Sequence, residues 1–147
     1  MKYGATAFSV YNHMYMPVTY DGTIEDYKKL LDGVQLWDVG VERQVQIQGP
    51  DAEACVQFLT PRNIKKCSIG QAMYTPLTDF KGKLINDPVM LKIDKDCYWF
   101  SVSDGDLLLW MQGIAAGYKF EVDIDEPDVS PLQVQGPNAT KLMAKVF

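Results

Sequence analysis

Apolar and polar positions sort this chain into strands, helices and turns, and the clearest alternation runs through Gly70–Lys92, GQAMYTPLTDFKGKLINDPVMLK. Gln71–Leu77 reads as one strand and Leu84–Lys92 as its antiparallel return, with Asp79 and Gly82 in the turn Thr78–Lys83 between them. Asn86-Asp87-Pro88 interrupts the second arm. Asn, Asp and Pro are depleted in strands, and proline lacks the N–H that a ladder needs. Two readings fit: a bulge or polar edge position, or a place where a local rule is broken for function.

The rest of the chain yields to the same pattern reading. Residues 1–20 are rich in tyrosine and methionine but hold no period, which predicts extended or looping chain over a surface. His13 there fits the ordinary role of a hydrogen-bonded structural histidine. Thr23–Asp32 places Ile24, Tyr27, Leu30 and Leu31 on one helical face, with Thr23 as cap, Asp26 at the capping-box position and Gly33 as stop. Val34–Val39 and Gln44–Gln48 read as strands. A helix should start at Pro50, which suits a first helical position, and run to about Leu59. Cys97–Val102 is an apolar strand. Ser103 or Asp104 can cap a helix over Asp106–Ala116 that stops at Gly117, and Tyr118–Ile124 alternates as a strand. Asp125-Glu126-Pro127-Asp128 looks like a solvated turn. A last helix begins at Pro137 and still runs at Phe147, as if the chain were truncated there.

Val45-Gln-Ile-Gln-Gly-Pro-Asp-Ala is echoed by Leu132-Gln-Val-Gln-Gly-Pro-Asn-Ala. Each copy precedes a helical pattern, so a strand–turn–helix unit is repeated. About seven strands and four helices in mixed order predict an α+β fold, an antiparallel or mixed sheet with packed helices.

Composition narrows the function classes. At 147 residues, 47% hydrophobic and 22% charged, the chain suits one globular domain. A net charge of −5 without a basic stripe argues against nucleic acid, and no apolar run is long enough for a membrane span or a signal-peptide core. Three dispersed cysteines and a single histidine predict no metal site and fit reduced thiols in a cytoplasm.

Three segments, Val10-Tyr-Asn-His-Met-Tyr-Met-Pro17, Leu36-Trp-Asp-Val-Gly-Val-Glu-Arg-Gln44 and Gly82-Lys-Leu-Ile-Asn-Asp-Pro-Val89, together resemble the N-terminal part of the folate-dependent T-protein (aminomethyltransferase) family. The match is nearest to the branch that demethylates dimethylsulfoniopropionate. The resemblance implies a three-domain fold around a channel that holds tetrahydrofolate. Residues 1–147 would be its N-terminal folate-binding portion, roughly two fifths of the family's length. Glycine-cleavage T-proteins carry Asp-Asp where this chain has Asn86-Asp87, so Asn86 departs from the aminomethyltransferase pattern.

By the same resemblance, Asp87 and Asn86 are the candidate catalytic residues. Tyr74 and Asp87, with Glu42 and Asp38 from a pocket-side loop, would meet folate or substrate. Tyr74 has a plainer reading as a cross-strand packing residue. The implied partners are a small-molecule substrate, folate and the remaining domains, with a homo-oligomer as an option.

The implied reaction fits the substitution. A sulfonium methyl leaves a neutral sulfide, so its attack by the folate N5 needs alignment and desolvation more than a base. Aminomethyl transfer must manage protons and an iminium charge, where a carboxylate has clear work. The alternatives are an aminomethyltransferase of glycine cleavage, partnered by a lipoyl carrier protein, and a non-catalytic folate-binding assembly factor.

Overall fold

The structure, a computed structural model, describes residues 3–147. In chain order the elements are β1 Ala7–Tyr11, β2 Met14–Thr19, α1 Thr23–Asp32, β3 Gln35–Asp38, β4 Gln44–Gln48, α2 Ala52–Leu59, β5 Ala72–Tyr74 and β6 Leu77–Thr78. They continue as β7 Leu84–Asn86, β8 Val89–Asp94, β9 Cys97–Ser101, α3 Leu107–Tyr118, β10 Asp123–Asp125, β11 Leu132–Gln135 and α4 Ala139–Val146. The fold is α+β, with antiparallel strand pairing. Its strands are more numerous and shorter than the pattern suggested. Two compact units form, one from the chain up to Val41 together with Ser130–Phe147, the other from Glu42–Val129.

In the first unit β1 and β2 make an antiparallel hairpin where extended or looping chain was expected. Asn12 and His13 close it with φ of 47° and 62°, the left-handed backbone of a two-residue hairpin turn. The Asn12 side chain is buried and donates to the Val41 carbonyl at 2.9 Å. Val10, Tyr15 and Val18 remain exposed, so no buried face imposes the alternation that would have revealed these strands.

The α1 helix has its predicted bounds, but Gly22 stands at its N-cap and Thr23 is already helical. The Asp26 carboxylate instead accepts from the Thr19 hydroxyl at 2.7 Å and the Tyr20 N–H at 2.9 Å, tying the helix to the end of β2. Neither α1 nor α4 contains a buried residue, and Ile24, Tyr27 and Leu31 are exposed.

The second unit holds a five-stranded antiparallel sheet in the order β10-β4-β9-β8-β5. Helices α2 and α3 contribute Cys55, Val56, Leu107 and Met111 to one core with Val45, Ile47, Met90, Tyr98 and Phe100 of the sheet. Each large side chain so buried contributes roughly 2–3 kcal/mol as an upper figure. The α3 helix runs through Gly117 to Tyr118, and Lys119 ends it with φ 59°. The exit occupies residues 119–122, which is why only Asp123 and Ile124 of the expected strand pair, with Asp125 added beyond its end. Glu126, in the acidic stretch expected to be solvated, lies 3.2 Å from the Arg43 guanidinium.

The repeat is structural in both copies. Gly49 and Gly136 have φ of 142° and 123°, and the helices begin at Ala52 and Ala139, two residues after the prolines expected to start them. A Cβ on Gly49 would sit 2.6 Å from the Glu121 carbonyl oxygen, and one on Gly136 would sit 2.4 Å from that of Gly33. Each glycine therefore presses against the loop that leads from a helix into the neighbouring strand. The pairs β4–β10 and β11–β3 are the same arrangement made twice.

The central hairpin pairs antiparallel as predicted, in two registers. β5 pairs with β8, and β6 with β7, on either side of an interruption. Pro76 lies on one arm and Asp87-Pro88 on the other, and a bond from the Thr75 N–H to the Pro88 carbonyl (2.9 Å) bridges the gap. Asp79 and Gly82 form the turn, where the Asp79 carboxylate accepts from the N–H groups of Lys81 and Lys83 at 2.8 Å each. No helix among the described residues is long and apolar enough to cross a membrane.

Candidate functional site

The interruption in the hairpin decides where its polar residues point. Strand residues alternate sides. Asn86, the last of β7, turns inward and is 4% exposed, whereas Asp87 turns outward and is exposed. Tyr74, the last residue of β5, is also exposed, and its hydroxyl donates to the Asp87 carboxylate (Oδ2) at 3.2 Å. The hydroxyl is held above the usual phenol range, first by partial desolvation, then by its bond to Asp87 and by that negative charge.

Ser103 joins the pair. Its hydroxyl lies 2.7 Å from Asp87 Oδ1 and 2.9 Å from Asn86 Oδ1, so its one proton serves either acceptor or bridges both. The Asn86 amide donates both of its protons, to the carbonyls of Ser103 and Asp104, at 3.2 Å each. Gly105 follows with φ 138°, and a Cβ there would lie 3.5 Å from the Asn86 amide nitrogen. Asn86 is thus fully engaged in holding the loop between β9 and α3, and that loop delivers Ser103 to Asp87. The carboxylate is pinned by two hydroxyls on two different elements and still has acceptor positions for a ligand.

Tyr74, Asn86 and Asp87 are therefore brought together, and Ser103 is the member that sequence reasoning missed. Ser103 had looked like a helix cap. The α3 helix starts at Leu107 with Asp106 at its N-cap and no side-chain capping bond. Nothing local marks Ser103, because its partners lie sixteen and seventeen residues upstream.

Glu42 lies outside this network, just ahead of β4, and burial pushes its carboxyl above the usual range. Asp38 belongs to the first unit, at the end of β3, where its carboxylate accepts from the Gly40 N–H at 3.1 Å. Burial, with the charge of Asp51 as a lesser cause, pushes the Cys55 thiol up to about 11, which leaves a poor nucleophile. No group of three or more metal-ligating side chains is gathered among the described residues.

Residues 1–147 match the family described as the GCVT N-terminal domain, and the chain belongs to that family. It is 48% identical over 144 residues to the dimethylsulfoniopropionate demethylase DmdA of Ruegeria pomeroyi, an alignment that covers 98% of this chain and 40% of that protein. It is 33% identical over 140 residues to an aminomethyltransferase of Bdellovibrio bacteriovorus, covering 90% of this chain and 38% of the relative. Among solved structures, the glycine cleavage system aminomethyltransferase T of Bartonella henselae shares the fold, with a TM-score of 0.87 at 19% identity over 98% of this chain and 40% of that one. The chain spans about 40% of the length of these relatives.

Proposed function

We propose that this chain is the folate-binding N-terminal part of a tetrahydrofolate-dependent methyltransferase that takes a methyl group from dimethylsulfoniopropionate or a similar small onium compound. The observation that carries the reading is the exposed Asp87 carboxylate, held by Tyr74 and Ser103, beside a buried Asn86 that has no freedom to act on a substrate. The 48% identity to a demethylase supports it, against 33% to an aminomethyltransferase.

One feature of the residues present supports a reduced folate. A carboxylate fixed by two hydroxyls and open to solvent offers acceptors to the N–H groups of a reduced pterin. Tetrahydrofolate supplies, when bound, the N5 that accepts the methyl group. The transfer would balance without an oxidant, the S–CH3 electron pair staying on sulfur, the methyl group passing to N5 and the N5 proton being released. Asp87 would orient folate or the onium cation, and Tyr74 and Ser103 would fix the carboxylate's direction. Asn86 would act through the loop it holds, as a positioning residue. Glu42 and Asp38 are assigned lesser contacts from their own segments. Chemistry of this kind depends on alignment, which a pre-set carboxylate supplies.

This reading calls for a small-molecule substrate, folate and the remaining domains of the same protein as partners, in a cytoplasmic setting, with self-association open to test. The aminomethyltransferase relatives keep a second activity in view. Product analysis separates the two. Incubation of the protein with tetrahydrofolate and dimethylsulfoniopropionate should yield 5-methyltetrahydrofolate. Formation of methylenetetrahydrofolate from an aminomethylated lipoyl carrier, with none from the sulfonium, would replace this reading by the second.

A further inference from the structure

Between Glu53 and Asp79 the sequence contains no acidic residue, and its only charges are Arg62, Lys65 and Lys66, in a chain whose net charge is −5. All three follow α2, Arg62 just ahead of a short 3-10 turn, Ile64–Lys66, that carries the two lysines and that the Asn63 side chain caps by accepting from the Lys65 N–H. Among the described residues no acidic side chain lies within ion-pair distance of any of them, although Lys29, Arg43, Lys92 and Lys95 all have acidic partners. Arg62 and Lys66 line an open cleft of about 440 Å³ whose other walls include Gln71, Met73 and Tyr74. Tyr74 is a shared wall, since its hydroxyl reaches Asp87. The cleft also runs along β5, the edge strand of the five-stranded sheet.

We propose that this cleft receives the acidic tail of the folate, the carboxylates of its glutamyl chain, with Arg62 and Lys66 as the cations that hold it. The inference rests on the folate reading above and adds a second contact zone to it. Charge selects a ligand rich in carboxylates, and the planar guanidinium of Arg62 suits them best. A glutamyl chain is itself peptide-like, so an edge strand can meet its amide groups. Position adds the last constraint, because the cleft adjoins the Tyr74–Asp87 pair assigned to the other end of the same ligand.

Exposed ion pairs are individually weak and screened by salt. Each cation should therefore contribute a few-fold, and the two together roughly tenfold in affinity at physiological salt. The test measures dissociation constants of the protein for tetrahydropteroate, which has no tail, and for tetrahydrofolate with one, three and five glutamates. The wild type should bind the pentaglutamate about tenfold more tightly than the tail-less compound, a preference that fades near 1 M salt. Arg62→Ala/Lys66→Ala should lose that preference and keep its affinity for tetrahydropteroate, and Arg62→Lys should retain part of it. The substituted side chains are exposed, and the bonds from the Gln57 side-chain amide to the Arg62 carbonyl and from the Lys66 N–H to the Asn63 carbonyl stay available, so the fold should survive. Equal length dependence in wild type and double variant would overturn the proposal and leave folate binding standing. Failure of every pteroyl compound to bind the wild type would overturn both.

Discussion

Replacing Asn86 by aspartate exchanges one heavy atom, sets two carboxylates side by side, and should damage the protein. In the native structure the Asn86 amide nitrogen donates to two carbonyl oxygens, those of Ser103 and Asp104, at 3.2 Å. Aspartate would set a carboxylate oxygen against those same oxygens at a site 4% exposed. Two hydrogen bonds are lost at about 1 kcal/mol each, and a buried charge facing acceptors adds about 1–2 kcal/mol more, for a total of about 3 kcal/mol near neutral pH. Burial and the facing carbonyls raise the folded-state pKa of the new carboxyl above its unfolded value of about 4. A raised folded pKa means the deficit is smallest at low pH, where the protonated group donates to one carbonyl, and grows as pH rises. Urea unfolding at about pH 5 and about pH 8 reads this directly, with the larger loss relative to wild type at the higher pH. A variant as stable as wild type at pH 8 would refute the placement of Asn86 as an inward-facing donor. Gained glycine-cleavage activity would refute its exclusion from direct chemistry.

Gly136→Ala and Gly49→Ala should each cost about 2–3 kcal/mol, seen as lowered thermal midpoints, because a Cβ meets backbone at 2.4 and 2.6 Å and both glycines have positive φ. Tyr74 should ionise above the usual phenol range in an absorbance titration, and the shift should shrink in Asp87→Asn, since the carboxylate is part of its cause. Asp26 is held below its usual value, chiefly by the Tyr20 N–H and the Thr19 hydroxyl. Its contribution is present above the unfolded value and lost as pH falls through the lowered one, so Asp26→Asn should flatten the acid limb of the stability profile. Because α1 and α4 leave apolar side chains exposed, the 147 residues alone should self-associate and bind tetrahydrofolate more weakly than the protein with all its domains, as sedimentation and calorimetry would show.

What the sequence disclosed was whatever a buried face or a turn residue imposes locally. Val45 and Ile47 alternate against glutamines because one side of β4 meets the core, and the strand was legible to the residue. The repeated Gly-Pro was legible as a repeat, though its reason, a glycine pressed on a neighbouring loop, lies some seventy to a hundred residues away. The N-terminal hairpin was missed because it has no buried face, and the end of α3 was misplaced because Lys119 adopts the conformation assigned to Gly117. Asp87 carried a signal, the broken strand rule at Asn86-Asp87-Pro88, whereas Tyr74 was singled out by the family resemblance alone. Ser103 carried none, since a serine before a helix already has an ordinary explanation and its true partners are found only through β9.

The central claim is that the exposed Asp87 carboxylate is the working group of this segment. Methyl transfer from dimethylsulfoniopropionate to tetrahydrofolate, measured for Asp87→Asn in the protein with all its domains, tests it most directly. Asp87 is exposed, and an asparagine there keeps one oxygen to accept from a hydroxyl while its amide can donate to the oxygen of the other, so the variant should fold with a nearly unchanged unfolding midpoint. Its turnover should fall by roughly two orders of magnitude, the scale on which losing one preorganised polar group acts. A folded variant with near-normal turnover would contradict the account.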